Sequence, residues 1–401
     1  MNLVGCVSLI HDFDEEINRY GTESTQWDLL EYKFGESGLL PFWMADMDFR
    51  CAQPIIDALN RRVDHGIFGY TKPCTESYLN AVINWYSRRY GWNIKPNWIV
   101  YTPNTMLIIK VALDLFTIPG DKIIIQSPVY NLFERVIVRN GRYIANNQLK
   151  LVSGRYEIDF DHLEKLAKDP LTRAMILCNP HNPVGRMWSR DELIKIANIC
   201  LENDVLLISD EIHGDLGLWG KRYTPVASLS EEIANNSIIC TAPTKTFNIS
   251  GFFIANAIIP NDSLRWRFEE EIKKRMCIHS APVLAVEAMK AAYNESEYWL
   301  EQLIKYIEGN MNFIESFFED NLPKIKFSKP EATYFAWLDF RNFNMTRREI
   351  EFLLWHKAKV AAYEGTIFGP GGEGFVRFVV ACPRKKIEEG LKRIFKVFKE
   401  Y

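Results

Sequence analysis

Five short segments in the middle of the chain finish in residues that could share one piece of chemistry. They read Thr102-Pro-Asn104-Thr105, Ser127-Pro-Val-Tyr130, Asn179-Pro-His-Asn182-Pro-Val-Gly185, Asp210-Glu211-Ile-His213 and Ala242-Pro-Thr244-Lys245-Thr-Phe-Asn248. A lysine at the edge of a buried sheet, its pKa lowered, forms a Schiff base with an aldehyde. A helix N-terminus, here opening at Thr105, binds phosphate through free N–H groups and its dipole. An Asp pairs with a protonated pyridine nitrogen, a Tyr stacks on the ring, and an Asn hydrogen-bonds a phenolic oxygen. Aldehyde, phosphate, pyridinium and phenol together describe pyridoxal 5′-phosphate (PLP). Singly, each residue has a plainer reading: Asn182 or Tyr130 as a turn residue, Asp210 as a helix cap. Their shared placement argues for a site.

That placement depends on the elements in front of them. Near-continuous Ile/Val/Leu runs at 98–101, 122–126, 173–178, 204–209, 237–241 and 253–259 suit strands buried on both faces. Helical spacing fills 105–117 and 190–202, so the alternation predicts a mostly parallel α/β sheet. In such sheets ligands bind beyond the carboxyl ends of the strands, where the five segments fall. After residue 280 the pattern changes: one long helical stretch near 282–320, strands at 333–338 and 375–380, and a helix near 346–358. A last helix carries Ile387, Leu391, Ile394, Phe395 and Phe398 on one face. This predicts a smaller α+β domain, joined to the first through a helix around 280–310.

Composition excludes other classes. The 401 residues are 47% hydrophobic and 25% charged, ordinary for a globular chain of two domains. With 48 Lys+Arg against 51 Asp+Glu there is no bulk basic field for nucleic acid or an anionic membrane. The eight cysteines contain no CxxC pair, which points to free thiols in a reducing cytoplasm. Leu3-Val4-Gly5-Cys6 imitates a lipoprotein box but lacks a basic region and apolar stretch before it. No uncharged stretch is long enough to span a bilayer. Gly369-Pro-Gly-Gly-Glu-Gly374 matches GxGxxG, yet it precedes a strand instead of opening a helix, so it reads as a mobile loop beside Arg377. Asp46 and Asp48 have metal-pair spacing but are expected to position backbone near the substrate.

The sequence resembles the aminotransferase class I/II superfamily of PLP enzymes (fold type I), and within it the cystathionine β-lyase/cystalysin group of C–S lyases. The likeness runs from about residue 12 to the C-terminus. It is carried by Gln26-Trp27-Asp28, Pro41-Phe-Trp-Met-Ala-Asp-Met-Asp-Phe49, His65-Gly-Ile-Phe-Gly-Tyr-Thr71, Gly374-Phe-Val-Arg377, Ala381-Cys-Pro-Arg384 and the strand-end motifs above. The resemblance implies a large PLP-binding domain over 48–289 and a small one from 1–47 with 290–401. It also implies Lys245 as the Schiff-base lysine, Asp210 as the pyridinium partner, Tyr130 on the ring and Asn182 on its hydroxyl. Asn104, Thr105 and Thr244 would hold the phosphate. Tyr70 would reach it, and the substrate, from the neighbouring subunit of a homodimer with shared active sites. Arg377 would clamp the substrate carboxylate. His213, beside the cofactor, stands where many aminotransferases carry Tyr, which favours a lyase.

Four departures from the pattern stand out: Thr244 where Ser is usual, Phe253 where many aminotransferases place a phosphate-binding Arg, Thr102-Pro-Asn-Thr-Met106 where the phosphate loop usually bears a glycine, and no Asn two residues after Arg377. The expected activity is β-elimination from a sulfur-containing amino acid, giving a thiol, ammonia and a 2-oxo acid. The alternative is an aminotransferase on the same fold.

Overall fold

The computed structural model describes residues 11–401, so the Leu3–Cys6 motif lies outside the described residues. Seven strands form the main sheet: β1 (Ile99–Thr102), β2 (Lys122–Ile125), β3 (Tyr143–Asn146), β4 (Thr172–Cys178), β5 (Leu206–Asp210), β6 (Ser237–Thr241) and β7 (Ala255–Ile258). Their order is β1-β7-β6-β5-β4-β2-β3. Every neighbouring pair is parallel except those made by β7, which runs against both β1 and β6. Side chains alternate across the sheet. Ile124, Met175, Leu177, Leu207 and Ile239 face one buried cluster, which includes α1 (Glu76–Tyr90). Ile123, Ile125, Ile176, Ile208 and Ile238 face the other, which includes α2 (Thr105–Phe116). Both faces are therefore covered, and the sheet's ends are the places left for a ligand.

Two elements depart from the sequence expectation. β3, a half-exposed edge strand, carries too few apolar residues to form a run. The long helix after residue 280 is two helices, α3 (Val283–Glu295) and α4 (Glu297–Asn321). Ser296 breaks them, its hydroxyl donating to the Ala291 carbonyl at 3.0 Å.

The C-terminal strands β8 (Lys326–Phe327), β9 (Phe335–Asp339), β10 (Tyr363–Glu364) and β11 (Phe375–Val379) form an antiparallel sheet in the order β8-β9-β11-β10. The final helix, α5 (Arg384–Phe398), buries Ile387, Leu391, Ile394 and Phe398, the expected face. The N-terminal segment joins this part of the molecule: Leu40 and Pro41 pair in parallel with Val360 and Ala361. Among the described residues no helix is long and apolar enough to cross a membrane.

Candidate active site

A cavity of about 590 Å³ opens where the parallel strands of the main sheet end. Its wall carries Asn104 and Thr105 after β1, Tyr130 after β2, Asn182 after β4, Asp210 and His213 at the end of β5, and Thr244 and Lys245 after β6. Arg377 enters from β11 of the second sheet. Nine of the ten residues singled out from the sequence thus share one chamber. The tenth, Tyr70, does not line it and is fully exposed.

Local chemistry explains how the turns hold. The Asn104 carboxamide accepts from the Leu107 N–H at 2.8 Å, capping α2 and leaving its first N–H groups to face the cavity. Asn248 takes φ 55°, a left-handed geometry that Asn tolerates. From there its amide donates to the Met47 and Phe49 carbonyls at 3.2 and 2.8 Å, pulling the 44–49 segment over the lysine loop. The Lys245 ammonium consequently donates to the Ala45 carbonyl at 2.7 Å and to the Ser250 hydroxyl at 3.3 Å.

Asp210 is buried and accepts one long hydrogen bond, from the Ile212 N–H at 3.3 Å. Burial pushes its carboxyl up to about 7, with that N–H and the field of Lys245 only partly opposing. Desolvation lowers Lys245, which Asp46 and Asp210 counter. Arg377 is buried without a carboxylate: its guanidinium donates to Asn182 Oδ1 at 3.1 Å and to the Trp43 carbonyl at 2.7 Å, while its Nε has no partner. Burial therefore drops it to about 10. His213 is held neutral, down at about 3 through burial and the nearby Lys245 and Arg377, with Nδ1 unbonded. The chamber thus offers a base, an uncompensated carboxyl at its floor and an uncompensated cation at its wall.

Asp210 makes stability pH-dependent. The folded, cofactor-free protein keeps this proton up to about pH 7, whereas an unfolded Asp releases it near 3.8. The stabilisation is complete below pH 4 and is lost as pH rises through 7, up to a few kcal/mol. The thermal unfolding midpoint of the cofactor-free parent should therefore fall from pH 5 to 7 relative to that of Asp210→Asn, a comparison that cancels buried Glu211, raised to about 8, and buried His181 and His213, whose lowered values act in the opposite sense. A parent–variant difference that does not change with pH would contradict the assignment.

Sequence reasoning missed several participants. The Ala45 carbonyl has no side-chain signature, and Ser250 lies five residues beyond the lysine. Trp43 and Tyr363 also line the cavity. Asp46 and Asp48 are taken up by side-chain donors: Arg19 bridges them at 2.7 and 2.9 Å, and buried Asp48 also accepts from Trp27 Nε1 and Lys386. The glycine loop beside Arg377 is tightly packed, since a Cβ on Gly372 would sit 2.2 Å from the Gly365 carbonyl oxygen. Polar support for Arg377, absent two residues on, comes from Asn182 and Trp43. Phe253 stands half-exposed at the rim, so no cation occupies that place.

The profile of Aminotransferase class I and II matches residues 44–394. The chain belongs to this family. Relatives of this aminotransferase class I/II enzyme include the cystathionine beta-lyase PatB of Bacillus subtilis, 44% identical over 96% of this chain and 98% of that one. Cystalysin from Treponema denticola, whose crystal structure contains PLP, superposes with a TM-score of 0.94 at 40% identity, covering 98% of this chain and all of the other. The PLP-bound C–S lyase from Staphylococcus hominis gives 0.92 at 31% identity, with 98% and 99% covered. These likenesses put the class I/II enzyme in the PLP-dependent C–S lyase group, whose substrates are amino acids.

PLP is its cofactor, and the chamber fits it on physical grounds. A buried carboxyl with one weak hydrogen bond suits a cationic ring N–H. Free N–H groups at α2 suit a phosphate, and the lysine amine faces the same space.

Proposed function

We propose that this class I/II enzyme is a cytoplasmic homodimer that cleaves the Cβ–S bond of a β-thio-substituted L-amino acid. Water is consumed, and a thiol, ammonia and pyruvate are formed. The observation carrying the reading is the convergence of Lys245, Asp210 and Arg377 on one cavity at the strand ends.

Lys245 would hold the cofactor and, as a free amine, would take the Cα proton on Nζ; its lowered pKa favours the free amine such a base requires. When bound, PLP would withdraw the electron pair left at Cα. Asp210 would pair with the ring N–H and keep the ring electron-poor, and Tyr130 would cover the ring. The Asn182 amide serves the ring oxygen while its Oδ1 stays on Arg377. Asn104, Thr105 and Thr244 hold the phosphate, and His213 stays neutral beside the cofactor. Arg377 receives the α-carboxylate, which supplies the anion its buried guanidinium lacks.

Full exposure of Tyr70, together with exposed Ile67 and Phe68, suits a surface covered by a second copy. We assign the partner subunit's Tyr70 to phosphate and substrate. Free thiols at all seven described cysteines suit a reducing compartment.

Purified enzyme given L-cystathionine should release thiol and pyruvate in equal amounts, measured with a thiol reagent and a coupled pyruvate assay. Amino-group transfer to an added 2-oxo acid without thiol would establish the aminotransferase alternative instead.

A further inference from the structure

Directly after Lys245 comes Thr246, a fully buried residue whose hydroxyl donates to Asp215 Oδ2 at 2.8 Å. Asp215 lies five residues beyond Asp210, in the segment that follows β5, and is not among the residues that line the cavity. Its carboxylate is buried and takes three side-chain donors at once. Oδ1 accepts Trp85 Nε1–H at 3.0 Å and the Tyr90 hydroxyl, both from α1, while Oδ2 takes Thr246. The balancing charge is Arg89, 3.9 Å away, which is itself held by Glu297 and Glu301 of α4 at 2.7 and 2.8 Å.

An ionised carboxylate suits this spot, because it is an acceptor only, with lone pairs enough for three donors. An Asn of the same shape would keep its oxygen for Trp85 and Tyr90 and turn its N–H₂ to the Thr246 hydroxyl, reversing that bond and removing the charge. The lysine pivot is thereby fixed from behind by a charged, fully bonded anchor, while Ala45 and Ser250 hold its amine in front. Such support matters because a misplacement of about 1 Å at a reacting group can cost about a hundredfold in rate.

We propose that Asp215 is a positioning residue for Lys245, acting through the Thr246 hydroxyl. This rests on Lys245 being the lysine that holds the cofactor. The test compares holoenzyme variants Thr246→Val, Thr246→Ser, Asp215→Asn and the Thr246→Val/Asp215→Asn double. Three quantities are read: kcat and KM for thiol release, and the pH midpoint of the lysine-linked cofactor absorbance.

Thr246→Val, which keeps the shape and loses the hydroxyl, should lower kcat about tenfold with KM within about twofold. The pH midpoint should move by about half a unit. Thr246→Ser should restore both, and the double variant should be no worse than Asp215→Asn alone. Parental kcat and midpoint in Thr246→Val, or additive losses in the double, would overturn the inference. Should Asp215→Asn not fold, Thr246→Val against Thr246→Ser still decides it. Failure of the underlying reading looks different: the parent's cofactor absorbance would then survive Lys245→Ala.

Discussion

A Lys245→Ala variant is expected to fold, bind PLP and release thiol from L-cystathionine at least about 10⁴-fold more slowly than the parent, the upper range for loss of a positioned base. No other amine stands in for it. Among the residues lining the cavity Lys33, Arg135, Arg377 and His213 are also basic; Arg377 is committed to Asn182 and the Trp43 carbonyl, and His213, held down at about 3, is too weak a base for a Cα proton. Lys33 lies out at the rim, 5.6 Å from the Trp43 ring centroid. The Ala45 carbonyl and Ser250 hydroxyl, which hold the lysine amine, would remain without reacting. Thiol release and the lysine-linked absorbance should vanish together, and parental pyruvate release by the variant would overturn the proposed role.

The second large effect belongs to Asp210. Asp210→Asn keeps size and removes charge, so the ring nitrogen of the bound cofactor loses its anionic partner in a buried setting. Breaking a buried ion pair by removing one partner costs about 3–5 kcal/mol, which corresponds to roughly 10²–10³-fold or more in rate if the pair acts at the transition state. The loss should fall on kcat, with KM for the amino acid little changed, because the proposed partner of the substrate carboxylate is Arg377 and not Asp210. Asp210→Glu should recover part of it. Steady-state kinetics on PLP-saturated protein makes the comparison, and a parental kcat in Asp210→Asn would refute the pairing.

Much of this site is legible in the sequence because its residues follow buried strands, and strands covered on both faces are written as unbroken apolar runs. The strings ending at Cys178, Asp210 and Thr241 announce their own carboxyl ends. What is missing from the sequence follows equally from physics. An apolar run reads alike in either direction, so nothing in residues 255–258 tells that β7 runs against its neighbours. Ser296 divides α3 from α4 through one hydroxyl, inside a stretch whose helical spacing continues undisturbed. The carbonyl that meets Lys245 belongs to Ala45, 200 positions away, and any residue type would supply it. Likewise, the partners of Arg377 lie 195 and 334 residues off. Thr246 looks like an ordinary neighbour of the lysine until Asp215 is seen behind it.

The pairing of Leu40 and Pro41 with Val360 and Ala361 has a consequence for how the protein is made. Chains fold as they emerge from the ribosome, N-terminal parts first. The strand ends that line the cavity all lie between residues 99 and 258 and are synthesised well before β11. Residues 40–41, made early, must wait for 360–361 before their own ladder can form, and Trp43 waits with them for Arg377. During synthesis the proposed cofactor platform thus precedes the proposed substrate clamp, and residues near 40 must meet residues near 360 before that clamp is complete.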